Sequence, residues 1–459
     1  ITVLARSKWL NAVHVRGSYD DIQQLLDLDF VGSIEFADNQ LNNTSKPTGR
    51  NKIIKKQNKL KEENIFDYGN AVNQIEMLGI QELHNENFTG NGIYIAVLDA
   101  GFPGVNTLEA FERIRSNQLL KGGYNFVDRD DNFYARSTHG TAVLSTMAGF
   151  IENEFAGSAP DAAYYLFITE DHTREVPLEE SLWVEAAEMA DSLGVDIINT
   201  SLGYSVYFDN PDYNYSYGEM DGETAFISRG AKAAFSRGML LVNSAGNEGN
   251  DPWKYINAPA DVPEVLSVGA VDANEQVANF SSFGPTAKGI IKPDVLGQGA
   301  GIQIINAAGT IVASNGTSFS SPLMAGAVAC LWQALPEKNN VQIIQLLRET
   351  GHLFESPTAQ EGYGIPDFSQ IFNLYYVPPI PVTAMNAYPN PTTGILRIDI
   401  PDKVKNIGFK LFNLLGKTVM AGAVEKGNPY IDISHVSKGI YILQMQYLGK
   451  QKTIKLIKR

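Results

Sequence analysis

Four short segments constrain this 459-residue chain more than any bulk property, because each closes an apolar run at a glycine or opens a helix just after one. In chain order they are Ile95-Ala96-Val97-Leu98-Asp99-Ala100-Gly101-Phe102, Ser137-Thr138-His139-Gly140-Thr141-Ala142, Asn243-Ser244-Ala245-Gly246-Asn247-Glu248-Gly249 and Asn315-Gly316-Thr317-Ser318-Phe319-Ser320-Ser321-Pro322. A run as apolar as Ile93 to Leu98 reads as a strand buried on both faces, which is the habit of parallel sheets. Strand and helix alternate between the segments: Ala163 to Ile168 strand, Leu178 to Leu193 helix, Val195 to Ser201 strand, Glu223 to Ser236 helix, Met239 to Ser244 and Val265 to Val271 strands. That alternation predicts an α/β fold with a doubly wound parallel sheet. The polar residue of each segment then falls at a strand C-terminus or a helix N-terminus, where open α/β sheets place their ligands.

The residue types suit acyl transfer. A serine hydroxyl is a poor nucleophile at neutral pH, so an imidazole must take its proton during attack, and a buried carboxylate must hold that imidazole in one tautomer. Asp99 ends a buried strand, and His139 opens the apolar helix that continues to Gly149. Ser318 follows Gly316, and Pro322 is expected in the first turn of its helix. Backbone N–H groups and the helix dipole there favour negative charge. Asn247, in a glycine-flanked loop, supplies an amide donor for an oxyanion.

The order Asp, His, Ser and the flanking residues resemble the signature blocks of the subtilisin-like (subtilase) serine proteases, over about Tyr68 to Phe372. The resemblance implies Asp99, His139 and Ser318 as the triad and Asn247 as the oxyanion donor. Asn199-Thr200-Ser201-Leu202-Gly203 resembles the family's substrate-binding edge, and Ala258-Pro259-Ala260 its pocket-wall loop. Ser201, Leu202, Gly203, Ala245 and Gly246 are the substrate-binding residues so implied. Ala100, Ala142 and Phe319-Ser320-Ser321 depart from the commoner family residues, none of them a reacting group.

Composition sets limits. A formal charge of -15 argues against nucleic acid or an anionic membrane as main partner. The single cysteine, Cys330, lies in the apolar helix after Ser318 and reads as a small buried residue. No apolar run is long enough to span a membrane. Catalysis is expected to need no cofactor; a structural calcium ion is left open, with no metal ligands assigned. Between Gly203 and Glu223 lies a stretch rich in Tyr and acid, expected as a solvated surface loop, with a cleft wall or calcium site as the alternatives.

The ends of the chain differ from its middle. It opens on Ile1-Thr2-Val3-Leu4 instead of Met, as a fragment or processed form does. Lys8 to Val15, Tyr19 to Leu26 and Phe30 to Phe36 read strand, helix, strand, similar to the second half of a subtilase inhibitory propeptide. Beyond Tyr376 comes the stiff Val377-Pro378-Pro379-Ile380-Pro381, then short alternating strands that predict a small β-sandwich. Tyr388-Pro389-Asn390-Pro391, Leu411-Phe412-Asn413-Leu414-Leu415-Gly416-Lys417 and Gly439-Ile440-Tyr441 resemble the C-terminal sorting domain of the Bacteroidota type IX secretion system, which implies outer-membrane export. A substrate-binding accessory sandwich is the alternative.

The expected organisation is therefore 1–38 as the C-terminal part of an inhibitory propeptide, 39–66 as a linker with the maturation site, 67–376 as the catalytic domain, 377–384 as a proline-rich linker and 385–459 as the sorting domain. The expected function is that of a secreted or surface-attached serine endopeptidase acting on proteins or peptides; a catalytically silent peptide-binding surface protein is the alternative.

Overall fold

The computed structural model describes residues 1–38, 64–376, 385–400, 406–447 and 450–459. Most of the stretch in which the maturation cut is expected, 39–63, and the proline-rich linker 377–384 lie outside the described residues. The chain divides into two compact units, Ile1–Leu374 and Tyr375–Arg459.

The first unit opens with an antiparallel hairpin, β1 (Thr2–Ser7) and β2 (Ala12–Arg16), followed by a short helix α1 (Tyr19–Gln23). Lys8 to Asn11, expected inside a strand, is the turn between them, and Phe30 to Phe36, also expected as a strand, pairs with no strand. The main sheet contains β3 (Tyr94–Asp99), β4 (Leu120–Asn125), β5 (Ala163–Ile168), β6 (Ile197–Thr200), β7 (Leu240–Ser244), β8 (Leu266–Val271) and β9 (Val295–Gln298). These seven strands run in the order β9-β8-β7-β6-β3-β5-β4, and every pairing is parallel.

Every residue of β6, β7, β8 and β9 is buried, so these strands show no polar alternation. Helices α2 (His139–Ala148), α3 (Leu178–Ser192), α4 (Phe226–Ser236) and α5 (Thr317–Ala334) cover the sheet. From β3 the chain first builds β4 and β5 on one side, then β6 to β9 on the other. The order thus reverses beside β3, and the crevice beyond the strand ends opens where Asp99 stands.

Helix α5 is a core helix, apolar on every side, with Leu323, Met324, Val328 and Leu331 all fully buried. It begins at Thr317 after Gly316, whose φ of 147° favours glycine. Pro322 therefore sits in the second turn, one turn later than the sequence suggests. Having no N–H, it leaves the Ser318 carbonyl without its helical donor. The Ser201 hydroxyl takes that place, donating to Ser318 O at 2.8 Å.

The segment after Gly203 is a solvated loop only in part. Tyr204, Phe208, Tyr215 and Met220 are buried in the same core as Trp183 of α3, and the two tyrosines can be buried because their hydroxyls reach carboxyl groups: Tyr204 Oη donates to Glu170 at 2.6 Å and Tyr215 Oη to Glu180 at 2.8 Å.

The second unit is all β. A three-stranded antiparallel sheet, β10 (Ala387–Tyr388), β11 (Ile395–Ile398) and β14 (Tyr430–Asp432), accompanies a four-stranded one, β12 (Asn406–Asn413), β13 (Thr418–Glu425), β15 (Gly439–Tyr447) and β16 (Lys450–Lys458). Leu396, Ile398 and Ile431 of the first pack in one core with Ile407, Phe409, Leu411, Leu443, Met445 and Leu456 of the second.

Candidate active site

Asp99 ends β3 with its side chain 1% exposed. Its Oδ1 accepts the Ala100 N–H at 2.7 Å and the Nδ1–H of His139 at 2.8 Å. Its Oδ2 is buried without a hydrogen-bond partner. His139 is the first residue of α2, with a side chain 37% exposed and its ring against Phe319, centroids 5.9 Å apart. The Asp99 charge raises the imidazole pKa above its ordinary value and outweighs burial, which pulls the other way. With Nδ1 donating to a carboxylate, Nε2 carries the free lone pair.

Ser318 lies in the first turn of α5, half-buried. Its hydroxyl donates to the Ser201 carbonyl at 3.3 Å and not to the imidazole. With Ser201 donating to the Ser318 carbonyl, each serine grips the other's backbone, which ties the end of β6 to the start of α5. Asn247 is exposed, yet its Oδ1 accepts both the Thr317 N–H at 2.8 Å and the Thr317 hydroxyl at 3.1 Å. That pairing assigns the amide orientation, with Oδ1 as the acceptor toward Thr317. Sequence reasoning missed the part of Thr317, although the residue lies inside the fourth segment.

Residues Ser201, Leu202 and Gly203 form one edge beyond β6, and Ala245 and Gly246 form another beyond β7. Asn243 Nδ2 donates to the Leu202 carbonyl at 3.2 Å, and the Gly246 N–H donates to Thr317 Oγ1 at 3.2 Å, so both edges are anchored beside Ser318.

A group of carboxyls stands outside this constellation. Glu170, Glu175 and Glu179 present oxygens within 4.8 Å of one another. Burial pushes Glu179 up to about 8 and Glu175 up to about 7, and burial with the Glu179 charge raises Glu170 well above the carboxylate range. His84, given no role from sequence, is a structural neutral imidazole: fully buried, it bonds Tyr68 Oη at 2.9 Å and the Ser158 carbonyl at 3.0 Å, and burial lowers it to about 4. Cys330 is buried beside it.

Residues 90–368 match the subtilase family of peptidases. The chain belongs to the subtilase family. Its flanks match too: residues 386–459 a secretion system C-terminal sorting domain, and residues 1–55 the peptidase S8 propeptide domain of Bacteroidota. The sorting domain marks this subtilase for secretion or attachment at the cell surface, and no described helix is long and apolar enough to cross a membrane. Subtilisin NAT of Bacillus subtilis subsp. natto is 31% identical over 280 residues, which is 60% of this chain and 65% of that protein. The subtilisin of Bacillus pumilus is likewise 31% identical, over 60% of this chain and 90% of its own. The crystal structure of MycP1 from Mycobacterium smegmatis shares the fold with a TM-score of 0.52 at 23% identity, covering 73% of this chain and 91% of its own. Subtilases need no cofactor for catalysis.

Proposed function

We propose that this subtilase is an exported serine endopeptidase that hydrolyses peptide bonds through an acyl-enzyme on Ser318. The observation that carries the reading is the buried Asp99 carboxylate holding His139 by Nδ1 at 2.8 Å, at the strand end where the sheet order reverses. His139 Nε2 takes the Ser318 proton as Oγ leaves the Ser201 carbonyl and attacks the substrate carbonyl, then returns it to the leaving amine. Asn247 Nδ2 and the Ser318 N–H, one of the helix's free first-turn donors, stabilise the tetrahedral oxyanion. Substrate backbone pairs with Ser201 to Gly203 as an added strand.

Residues 1–38 act as the remaining part of an inhibitory propeptide, 67–376 as the catalytic domain and 385–459 as the export address read by secretion machinery. The maturation cut falls in 39–66. A structural calcium ion at Glu170, Glu175 and Glu179 belongs to the same proposal, since the three carboxyls supply oxygens of the kind such an ion takes.

The second reading is a catalytically silent peptide-binding surface protein, favoured by the Ser318 hydroxyl resting on the Ser201 carbonyl instead of the imidazole. A fluorophosphonate probe, followed by mass spectrometry of the labelled species, separates the two. Label on Ser318 in a species beginning within 39–66, lost in Ser318→Ala, supports the enzyme. A folded, trimmed chain that takes no label supports the binding protein.

A further inference from the structure

The turn that precedes His139 leans on the turn that follows Asp99. Gly101 and Arg136 pair as an antiparallel bridge, and the Ser137 N–H donates to the Ala100 carbonyl at 3.1 Å. The fit is tight, since a Cβ at Gly101 would collide with the Ala135 and Ser137 carbonyls, so the two turns keep one relative position. Arg136 adopts a φ of 65°, the left-handed region that glycine and asparagine enter most easily. An arginine held there needs a compensating interaction.

Its guanidinium supplies one. Nε and Nη2 fork onto the Asp128 carboxylate at 2.7 and 2.6 Å, Nη1 reaches Asp171 at 3.0 Å, and the side chain is only 18% exposed. The fork holds the Asp128 carboxyl below the usual carboxylate range. Both acceptors are themselves fixed. Asn125, the last residue of β4, donates to Asp128 Oδ2 at 2.8 Å and accepts the Asp128 N–H at 3.0 Å, while the Asp171 N–H donates to Glu179 of α3 at 2.7 Å. Arg136 therefore ties the turn before His139 to the chain leaving β4 and β5 through its side chain, and to the chain leaving β3 through its backbone.

We infer that Arg136 is a positioning residue for His139: by gripping Asp128 and Asp171 it holds the preceding turn against Gly101 and so keeps the imidazole on Asp99. The inference rests on the proposed catalytic reading, in which Nδ1 stays bonded to Asp99 at 2.8 Å while Nε2 exchanges a proton with Ser318. As the first residue of α2, His139 has a backbone N–H with no partner inside the helix; it donates instead to Ser137 Oγ in the turn at 3.2 Å. The turn thus decides where the ring stands, and a shift of the order of 1 Å there separates a working proton relay from a poor one.

The test compares wild type, Arg136→Gly and Arg136→Lys in the mature enzyme on one peptide substrate. Glycine suits the left-handed backbone, so Arg136→Gly removes the grip without forcing the turn. Its kcat is expected to fall about 10-fold to 100-fold while KM changes less than about 2-fold, the mark of a lost geometry and not of lost binding. Lysine keeps the charge without the fork, and its kcat is expected between the other two. In proton NMR the His139 Nδ1–H, far downfield while bonded to a carboxylate, is expected to move upfield in Arg136→Gly. Asp128→Asn, which leaves the arginine in place, is the second variant should Arg136→Gly not fold, with the same split expected more weakly. A folded Arg136→Gly or Asp128→Asn with unchanged kcat and an unmoved Nδ1–H, whatever its Tm, overturns the inference, as does a rise in KM that accounts for the whole loss. A wild-type protein that cleaves nothing and takes no fluorophosphonate overturns the catalytic reading itself, so the two failures are distinguishable.

Discussion

Asp99 holds His139 by Nδ1 and raises the imidazole pKa above its ordinary value. A general base must be neutral, so the working form is populated only above that raised value, and protonation below it removes activity. Hydrolysis is therefore expected to fall with decreasing pH through a midpoint above about 6.5. In Asp99→Asn the midpoint moves down and kcat drops about 10,000-fold, because the amide does not stabilise the imidazolium and no longer selects the tautomer. Profiles of kcat against pH for the two proteins check both statements. Asn247→Ala is expected to lower kcat by about 100-fold to 1,000-fold with little change in KM, the mark of a donor used only in the transition state. An equal rise in KM would instead assign Asn247 to ground-state binding. At Glu179 the calcium reading meets its own check: millimolar calcium is expected to raise Tm, and Glu179→Gln to abolish that response.

At the scale of elements, helix α3 joins the sheet to the N-terminal hairpin. Its inner face buries Trp183, whose indole N–H donates to Thr200 Oγ1 of β6 at 3.0 Å. Its outer face presents Glu185 and Glu188 to β1 and the following turn. Glu188 Oε1 accepts from the Ser7 hydroxyl at 2.7 Å and the Trp9 N–H at 3.0 Å, while Glu185 accepts the Arg6 N–H at 2.7 Å and pairs with Arg129. The hairpin is thus seated by carboxylate hydrogen bonds at a partly solvated boundary, worth about 1.5–3 kcal/mol each at most, together with the packing of Ala5, Trp9 and Leu10 on the core around Trp183. Glu188→Ala is expected to free the Trp9 amide to hydrogen exchange by at least about 10-fold, while amides of β3 and α5 keep their protection. Loss of protection throughout the first unit would mean that Glu188 holds the fold and not just the hairpin.

For the whole molecule, the two units build their cores from different patterns. The first unit buries continuous apolar strands between helices; the second buries alternate residues of two antiparallel sheets, seen in the buried-exposed alternation of Ile395–Ile398. Each closes on itself, so a chain ending before 377 is expected to take the fluorophosphonate on Ser318 at the wild-type rate while failing to leave the cell. Export of the truncated chain would remove the sorting role from 385–459. Labelling that disappears with truncation would show that the first unit depends on the second.

The sequence alone determined the parallel α/β class, the four segments that carry Asp99, His139, Asn247 and Ser318, and the change to an antiparallel β unit after Tyr376. Those features are local: an apolar run, a glycine at a turn, a period of two. Short strands with glycine were not legible, because Leu120–Asn125 and Val295–Gln298 show no alternation and acquire their identity from a neighbour; at Gly123 a Cβ would collide with the Leu166 carbonyl. The Tyr-rich stretch after Gly203 looked like surface because its polar atoms count as solvated until the carboxyls of Glu170 and Glu180 are seen to receive them. Tertiary structure alone decided that Ser201 caps the carbonyl released by Pro322 and that Thr317 orients Asn247. Each of these joins residues far apart in the chain, and such pairings have no trace in local composition because their energy comes from burying polar groups against partners that folding alone brings within reach.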